Sequence, residues 1–228
     1  VAAPADTGVG SGIGGNGISS GNEVTAGEIE SSVAEAGLNP LAPGVSAKFA
    51  QYLELLLKWN AKLNLTAIRT PEDIVRRHFL ECIQCAQLIP PVASLLDFGS
   101  GAGFPGIPVA LLRPEISVTL GESQAKKAAF LREATRSLGL SASIFDGRIE
   151  AMPPSQQFEV VTLRAVDKMT AAYAAAFERV APGGWLIVFA TSGTAERDTA
   201  YFAPIAWEAP VPMTGMSDAF LLLGRKSE

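Results

Sequence analysis

A chain of 228 residues is long enough for one substantial core, with an extension beyond a domain of common size. Hydrophobic residues make up 48% and charged residues 18%, which excludes a largely disordered chain, and no run of about 18 apolar residues is present to cross a membrane as a helix. The net charge of -5 resides in residues 1–47, which hold Asp6, Glu23, Glu28, Glu30 and Glu35 and no Lys or Arg; the balanced remainder neither supports nor excludes a nucleic-acid partner.

Residues 1–24 are rich in Gly, Ser and Asn, and their composition predicts a disordered tail. They lack a basic stretch followed by an apolar one, so no signal peptide is expected, and the protein reads as cytoplasmic. Residues 25–91 read as a helical extension. Thr25 and Glu28 form a T-x-x-E capping box for a helix running to Ala36 and stopping at Gly37. Phe49, Leu53, Leu56 and Leu57 place an amphipathic helix over Ser46–Asn60. Thr70 and Pro71 suit the cap and first turn of a third helix, which carries His78, Phe79 and Ile83 and ends before Pro90. Cys82 and Cys85 lie one turn apart in that helix. With no second Cys pair and His78 as the sole histidine, they read as small buried residues, and no metal site is expected.

Residues 92–228 change to alternating elements. Strands are expected over Val92–Phe98, Ser117–Gly121, Ala142–Asp146, Phe158–Leu163, Trp185–Ala190 and Ala219–Gly224, with an edge strand near Ile205–Trp207. Helices are expected over Ile107–Leu112, Gln124–Leu138 and Lys168–Val180, and Thr191–Thr199 reads as a polar mobile loop over the site. Such alternation predicts an α/β fold with a mostly parallel sheet and helices on both faces.

The chemistry concentrates in Asp97-Phe98-Gly99-Ser100-Gly101-Ala102-Gly103-Phe104-Pro105-Gly106. Three glycines after a strand let backbone approach a ligand closely, at the sheet edge where α/β proteins bind cofactors. No Gly-Lys-Ser/Thr follows, which excludes a P-loop, and Pro105 interrupts a dinucleotide fingerprint. Glu122, ending the next strand, suits bidentate acceptance from a ribose diol. The alternative is a tight turn with Glu122 capping the following helix.

The D-x-G-x-G-x-G spacing resembles motif I of class I S-adenosylmethionine-dependent methyltransferases. Flanking words narrow the resemblance: Lys58-Trp59-Asn60, Leu63-Asn64-Leu65-Thr66-Ala67, Arg77-His78-Phe79-Leu80, Gly147-Arg148-Ile149-Glu150, Arg164-Ala165-Val166 and Pro182-Gly183-Gly184, in this order. Together they resemble the bacterial 16S ribosomal RNA guanine-N7 methyltransferase family, also called the glucose-inhibited division protein B family, over roughly Glu28 to Lys226. The resemblance implies a Rossmann-like seven-stranded sheet with an N-terminal helical extension, S-adenosyl-L-methionine as cofactor, and methylation at N7 of a guanine in the 530 loop of 16S ribosomal RNA. The implied partner is that RNA or the small ribosomal subunit, with no DNA and no membrane, and the protein is expected to be a monomer.

By the same resemblance Asp97, Gly99, Ser100, Gly101, Gly103 and Phe104 match the cofactor loop and Glu122 the ribose-binding acid. Arg148, Ile149 and Glu150 match the loop near the adenine. Arg164 matches an arginine at the mouth of the active site and is the expected catalytic residue, the alternative being a salt bridge to Asp167 or Glu150. Arg77 and His78 match a word of the extension near that mouth and are expected RNA contacts. Arg132 and Arg136, four apart, form either a stripe for RNA backbone or an ordinary solvated helix face. The chain departs from the family in Phe189-Ala190-Thr191, where a lysine is common, in Glu81-Cys82 for Asp-Ser, and in Gly121-Glu122-Ser123 for Leu-Asp-Ser. Two other functions stay open: a small-metabolite methyltransferase, and a non-catalytic cofactor-binding protein that acts through the ribosome.

Overall fold

The computed structural model describes residues 24–164, 169–201 and 205–228. The tail expected over 1–24 lies outside the described residues apart from Val24, as do Asp167 and the Lys168 helix start. Helices α1 (Ala26–Glu35), α2 (Val45–Leu63), α3 (Pro71–Ile74) and α4 (Leu80–Leu88) precede the first strand. Both halves of the Thr25–Glu28 capping box form, and the Thr70 hydroxyl accepts from Asp73 N–H at the start of α3. Between α3 and α4 the chain does not run on as plain α-helix. Val75–Phe79 is a π-turn in which Leu80 N–H donates to the Val75 carbonyl five residues back. One inserted residue of this kind reorients the side chains around it, and such turns recur at functional sites.

The sheet comprises β1 (Ser94–Phe98), β2 (Ser117–Gly121), β3 (Ser143–Phe145), β4 (Phe158–Arg164), β5 (Val180–Thr191), β6 (Ile205–Trp207), β7 (Val211–Pro212) and β8 (Ala219–Lys226). Its order is β3-β2-β1-β4-β5-β8-β6, with β7 also on β8. The first five strands of that order are parallel, and β8 is antiparallel to both β5 and β6. Crossovers use α5 (Gly106–Leu112), α6 (Ala125–Leu138) and α7 (Met169–Arg179). Pro212 sits in the two-residue β7, where a missing N–H is tolerated.

The period-two alternation of each strand creates two cores. Leu95, Val160, Ile187, Leu221 and Leu223 face one side, where they join Phe49, Leu53, Leu56, Phe79 and Ile83 of the N-terminal helices. Leu96, Val161, Leu186, Val188 and Leu222 face the other, against Tyr173 and Ala176 of α7. The helices before β1 thus share one continuous core with the sheet. Trp59 of α2 meets Phe130 of α6 edge-on at 5.7 Å, an aromatic pair that helps fasten the two parts.

Of the polar loop expected over Thr191–Thr199, Thr191 instead ends β5 and the rest belongs to helix α8 (Ser192–Tyr201). Its apolar anchoring comes from tertiary contact: Ala195 packs on the α7-side core, and Thr199 gives its carbonyl to the Trp207 indole N–H. None of its described residues borders the main cavity.

Candidate active site

β1 delivers Asp97 and Phe98 to the carboxyl edge of the sheet, and the chain then turns through Gly99–Pro105 into α5. Several contacts fix the turn. Ser100 N–H donates to the Gly121 carbonyl (2.8 Å), fastening it to β2, and Gly101 N–H donates to Glu122 Oε2 (3.0 Å). From α2, the Tyr52 hydroxyl donates to the Ala102 carbonyl. Behind the turn, the buried Asp97 carboxylate accepts from Gly106 N–H (3.1 Å) and from the Thr162 hydroxyl (2.9 Å). Burial pushes its carboxyl up to about 6, while Ser100, Thr162, Gly106 and the charge of Arg164 hold it back from rising further.

A cavity of about 660 Å³ opens in front of this turn, within the usual range for small-molecule sites. Gly99, Ser100, Gly101, Phe104, Glu122, Arg148, Ile149, Glu150, His78 and Arg164 all border it. Asp97 and Gly103, expected among the cofactor contacts, stand behind the turn instead. Gly103 has φ +92°, and a Cβ there would lie 2.5 Å from Ile107 Cδ1 and 2.8 Å from the Tyr52 hydroxyl. Its missing side chain serves packing under the turn. Arg77, Arg132 and Arg136 do not border the cavity either: Arg132 pairs with Asp146 and Arg136 is exposed. Arg77 contributes its backbone carbonyl to the site, as an acceptor for Arg164.

Glu122 uses both carboxylate oxygens locally. Oε2 accepts from Gly101 and Oε1 accepts from Gln124 N–H (2.7 Å) at the start of α6. Each oxygen keeps a second lone pair, so capping and ligand binding are compatible.

Arg164, the last residue of β4, pairs with Glu81 of α4 rather than with Glu150, and Asp167 lies outside the described residues. The two side chains are 14% and 7% exposed. Arg164 Nη2 also donates to the Arg77 carbonyl (3.0 Å) and lies 2.8 Å from His78 Nδ1, itself 3.1 Å from that carbonyl, while Nη1 donates to Cys82 Sγ (3.1 Å). The guanidinium lies over the Phe189 ring, its carbon 4.9 Å from the centroid. Burial pushes the Glu81 carboxyl up and Arg164 pulls it back. His78 sits against Phe104 with ring centroids 4.7 Å apart. Burial, and then the neighbouring Arg164, lower the imidazole to about 3, so it is neutral at ordinary pH. Both cysteines are free and buried, and no cluster of three metal-ligating side chains occurs among the described residues.

Sequence reasoning left Leu65, Thr66 and Ala67 without a role, yet they border the same cavity as the glycine turn. It also passed over Tyr52, and it noted Glu81 only as a departure from the family's Asp-Ser, without a partner. A lone acid on the apolar face of α4 was the available signal for Glu81; Tyr52, at a core position of α2, gave none.

Residues 45–206 match the family described as GidB, rRNA small subunit methyltransferase G. The chain belongs to the rRNA small subunit methyltransferase G family. Among its relatives of that name, the Xanthomonas campestris pv. campestris (strain B100) protein is 39% identical over 163 residues, 71% of this chain and 76% of its own. The Stenotrophomonas maltophilia (strain K279a) protein is 35% identical over 198 residues, 84% and 90% of the two chains. Among solved structures, the N-methyltransferase NodS from Bradyrhizobium japonicum WM9 superposes with a TM-score of 0.52 at 17% identity, covering 66% of this chain and 94% of that one. P. horikoshii TYW2 in complex with MeSAdo gives 0.54 at 13%, covering 65% and 62%. These likenesses show the class I methyltransferase fold.

The cofactor of this family member is S-adenosylmethionine, and the residues present fit it. Glu122 offers two oxygens to a ribose diol, and the Gly99–Ala102 backbone approaches the cavity nearly bare of side chains. Ile149 packs where a Cβ on Gly121 would stand, giving a flat apolar wall suited to a purine.

Proposed function

We propose that this protein transfers a methyl group from S-adenosylmethionine to N7 of a guanine in the 530 loop of 16S ribosomal RNA. The observation that supports this reading is the two-sided cavity in a chain of the rRNA small subunit methyltransferase G family. One wall is the glycine turn with Glu122; the other belongs to the helical extension, through Leu65–Ala67 and His78. In this reading residues 92–228 hold the cofactor and residues 25–91 form the wall that meets RNA. Glu122 accepts from the ribose, Ile149 backs the adenine, and Arg148 and Glu150 stand at the rim.

The cofactor, when bound, supplies an electrophilic methyl on a sulfonium centre. Guanine N7 has an in-plane lone pair and no proton, so its attack needs no general base. The site agrees: His78 is neutral and both its ring nitrogens already have partners. What the chain contributes is alignment and exclusion of water, of order 7–11 kcal/mol of the barrier in favourable cases. Arg164 holds the incoming nucleotide through the base or an adjacent phosphate, a planar fork suited to either. The protein acts as a monomer in the cytoplasm. In support, Leu88 is the one large hydrophobic exposed among the described residues, and no described helix is long and apolar enough to cross a membrane.

Incubation with cofactor carrying a tritiated methyl and small ribosomal subunits, followed by nuclease digestion, should yield labelled N7-methylguanine mapped to the 530 loop. Label in another nucleotide, or cofactor binding with no transfer to subunits or their RNA, overturns the reading.

A further inference from the structure

The glycine turn needs Gly103 for packing, and that choice leaves the peptide before it free to turn over. Such a flip changes only the ψ of Ala102 and the φ of Gly103, and glycine accepts either sign of φ. In the structure the Ala102–Gly103 peptide is pinned at both ends. Gly103 N–H donates to the Ser100 carbonyl (2.6 Å) inside the turn, and the Ala102 carbonyl accepts from the Tyr52 hydroxyl of α2. A carbonyl can only accept, so the direction of the second bond is fixed. Tyr52 is the one donor to this oxygen among the described residues.

Tyr52 is itself held firmly. It is fully buried, its ring stacks on Phe79 at 5.5 Å and 14°, and it leans on Phe104 at 5.6 Å. Burial pushes the phenol well above its usual value, so the hydroxyl keeps its proton at any ordinary pH. Ala102 borders the cavity whereas Tyr52 does not, so the carbonyl that Tyr52 holds is turned toward α2 and away from a bound ligand. The N–H of Ala102 has no acceptor among the described residues.

We infer that Tyr52 is a positioning residue for the amino-acid end of S-adenosylmethionine, acting through the Ala102–Gly103 peptide. The inference rests on the cofactor placement proposed above, with adenine on Ile149 and ribose at Glu122, which leaves Gly99–Ala102 to the amino-acid end. That end carries a carboxylate, which the N–H groups of a turn attract and a carbonyl repels. By keeping the Ala102 carbonyl behind the turn, a residue of the helical extension sets the polarity of the cofactor loop. Without the hydroxyl the buried carbonyl is left unpaired, a cost that the flipped peptide relieves by turning the oxygen toward the cavity.

Titration calorimetry with two ligands tests this: S-adenosylhomocysteine, which keeps the amino-acid end, and 5′-deoxy-5′-methylthioadenosine, which lacks it. Tyr52→Phe should weaken the first about tenfold or more and leave the second within about threefold. Tyr52→Met repeats the comparison should the phenylalanine variant lose its native melting temperature. Equal weakening of both ligands, loss of all binding, or no change in either overturns the inference; the first two mean that Tyr52 only packs. Glu122→Ala, which removes the ribose acceptor, should weaken both ligands. If it weakens neither, the cofactor placement fails and the inference falls with it. If it weakens both while removal of the Tyr52 hydroxyl does not discriminate between them, the inference falls alone.

Discussion

Glu122 has competing claims on its carboxylate: the N–H groups of Gly101 and Gln124, and a ribose. Glu122→Ala removes all of them, and titration calorimetry should show cofactor affinity falling by about 1.5–3 kcal/mol, the range for a hydrogen bond to a charged group. Arg164 behaves differently from the sequence-level picture of an arginine free to meet substrate. Arg164→Ala strands the buried Glu81 without its counter-charge, which costs roughly 3–5 kcal/mol, so the melting temperature should fall along with activity. Arg164→Met with Glu81→Leu separates the two effects. Thermal melting should recover much of the lost stability, whereas methyl transfer should stay about 10²-fold or more below wild type, as expected when a positioned charge is missing. Glu81 was hidden from the sequence because its partner lies 83 residues away. Nothing local distinguishes an acid that caps, one that is solvated and one that pairs across the core.

At the scale of elements, legibility followed the strength of local signals. The Thr25 and Thr70 caps, the Pro71 start and the strand runs were readable because each boundary has a short-range cause. The π-turn at Val75–Phe79 was not, since its apolar positions also satisfy an α-helical pattern. Helix α8 was missed because Thr191-Ser192-Gly193-Thr194 has the composition of a loop, and its anchoring depends on Trp207 and the α7-side core. The glycine turn was legible as a site, but the division of labour within it was not: spacing cannot tell a glycine that admits ligand from one that admits Ile107 and Tyr52. Gly103→Ala combines a positive φ with those close contacts, and denaturant unfolding should show a loss of about 2 kcal/mol or more. Cofactor affinity should weaken as well, because relief of the clash displaces Ala102 and Phe104.

Across the whole molecule, the buried Asp97 and the half-buried His78 give acid stability a sign that can be checked. His78 has a folded value of about 3 against 6.5 unfolded, so the unfolded chain binds the extra proton and stability is lost as pH falls through that window. Asp97, raised to about 6 from 3.8, works in the opposite sense: its contribution is present below 3.8 and is lost as pH rises through 6. The two oppose each other between pH 4 and 6. His78→Gln leaves Asp97 alone, so relative to wild type it should gain on the order of 3 kcal/mol between pH 6.5 and 4 in urea titrations. An unchanged difference across that range would show that His78 is not held neutral by the fold. The placement of β8 has a consequence for synthesis. This strand is inserted between β5 and β6, pairs with seven residues of β5, and supplies Leu221 and Leu223 to one core and Leu222 to the other. The cofactor turn, Glu122 and Arg164 all precede it in the chain. A nascent or prematurely terminated polypeptide that stops before Ala219 therefore carries every site residue while its β5 edge is an open row of backbone donors and acceptors, a template for pairing with other chains. A chain ending at Ser217 should accumulate in aggregates rather than as a weakened enzyme, and completion of this sheet must wait for β8 to leave the ribosome that made it.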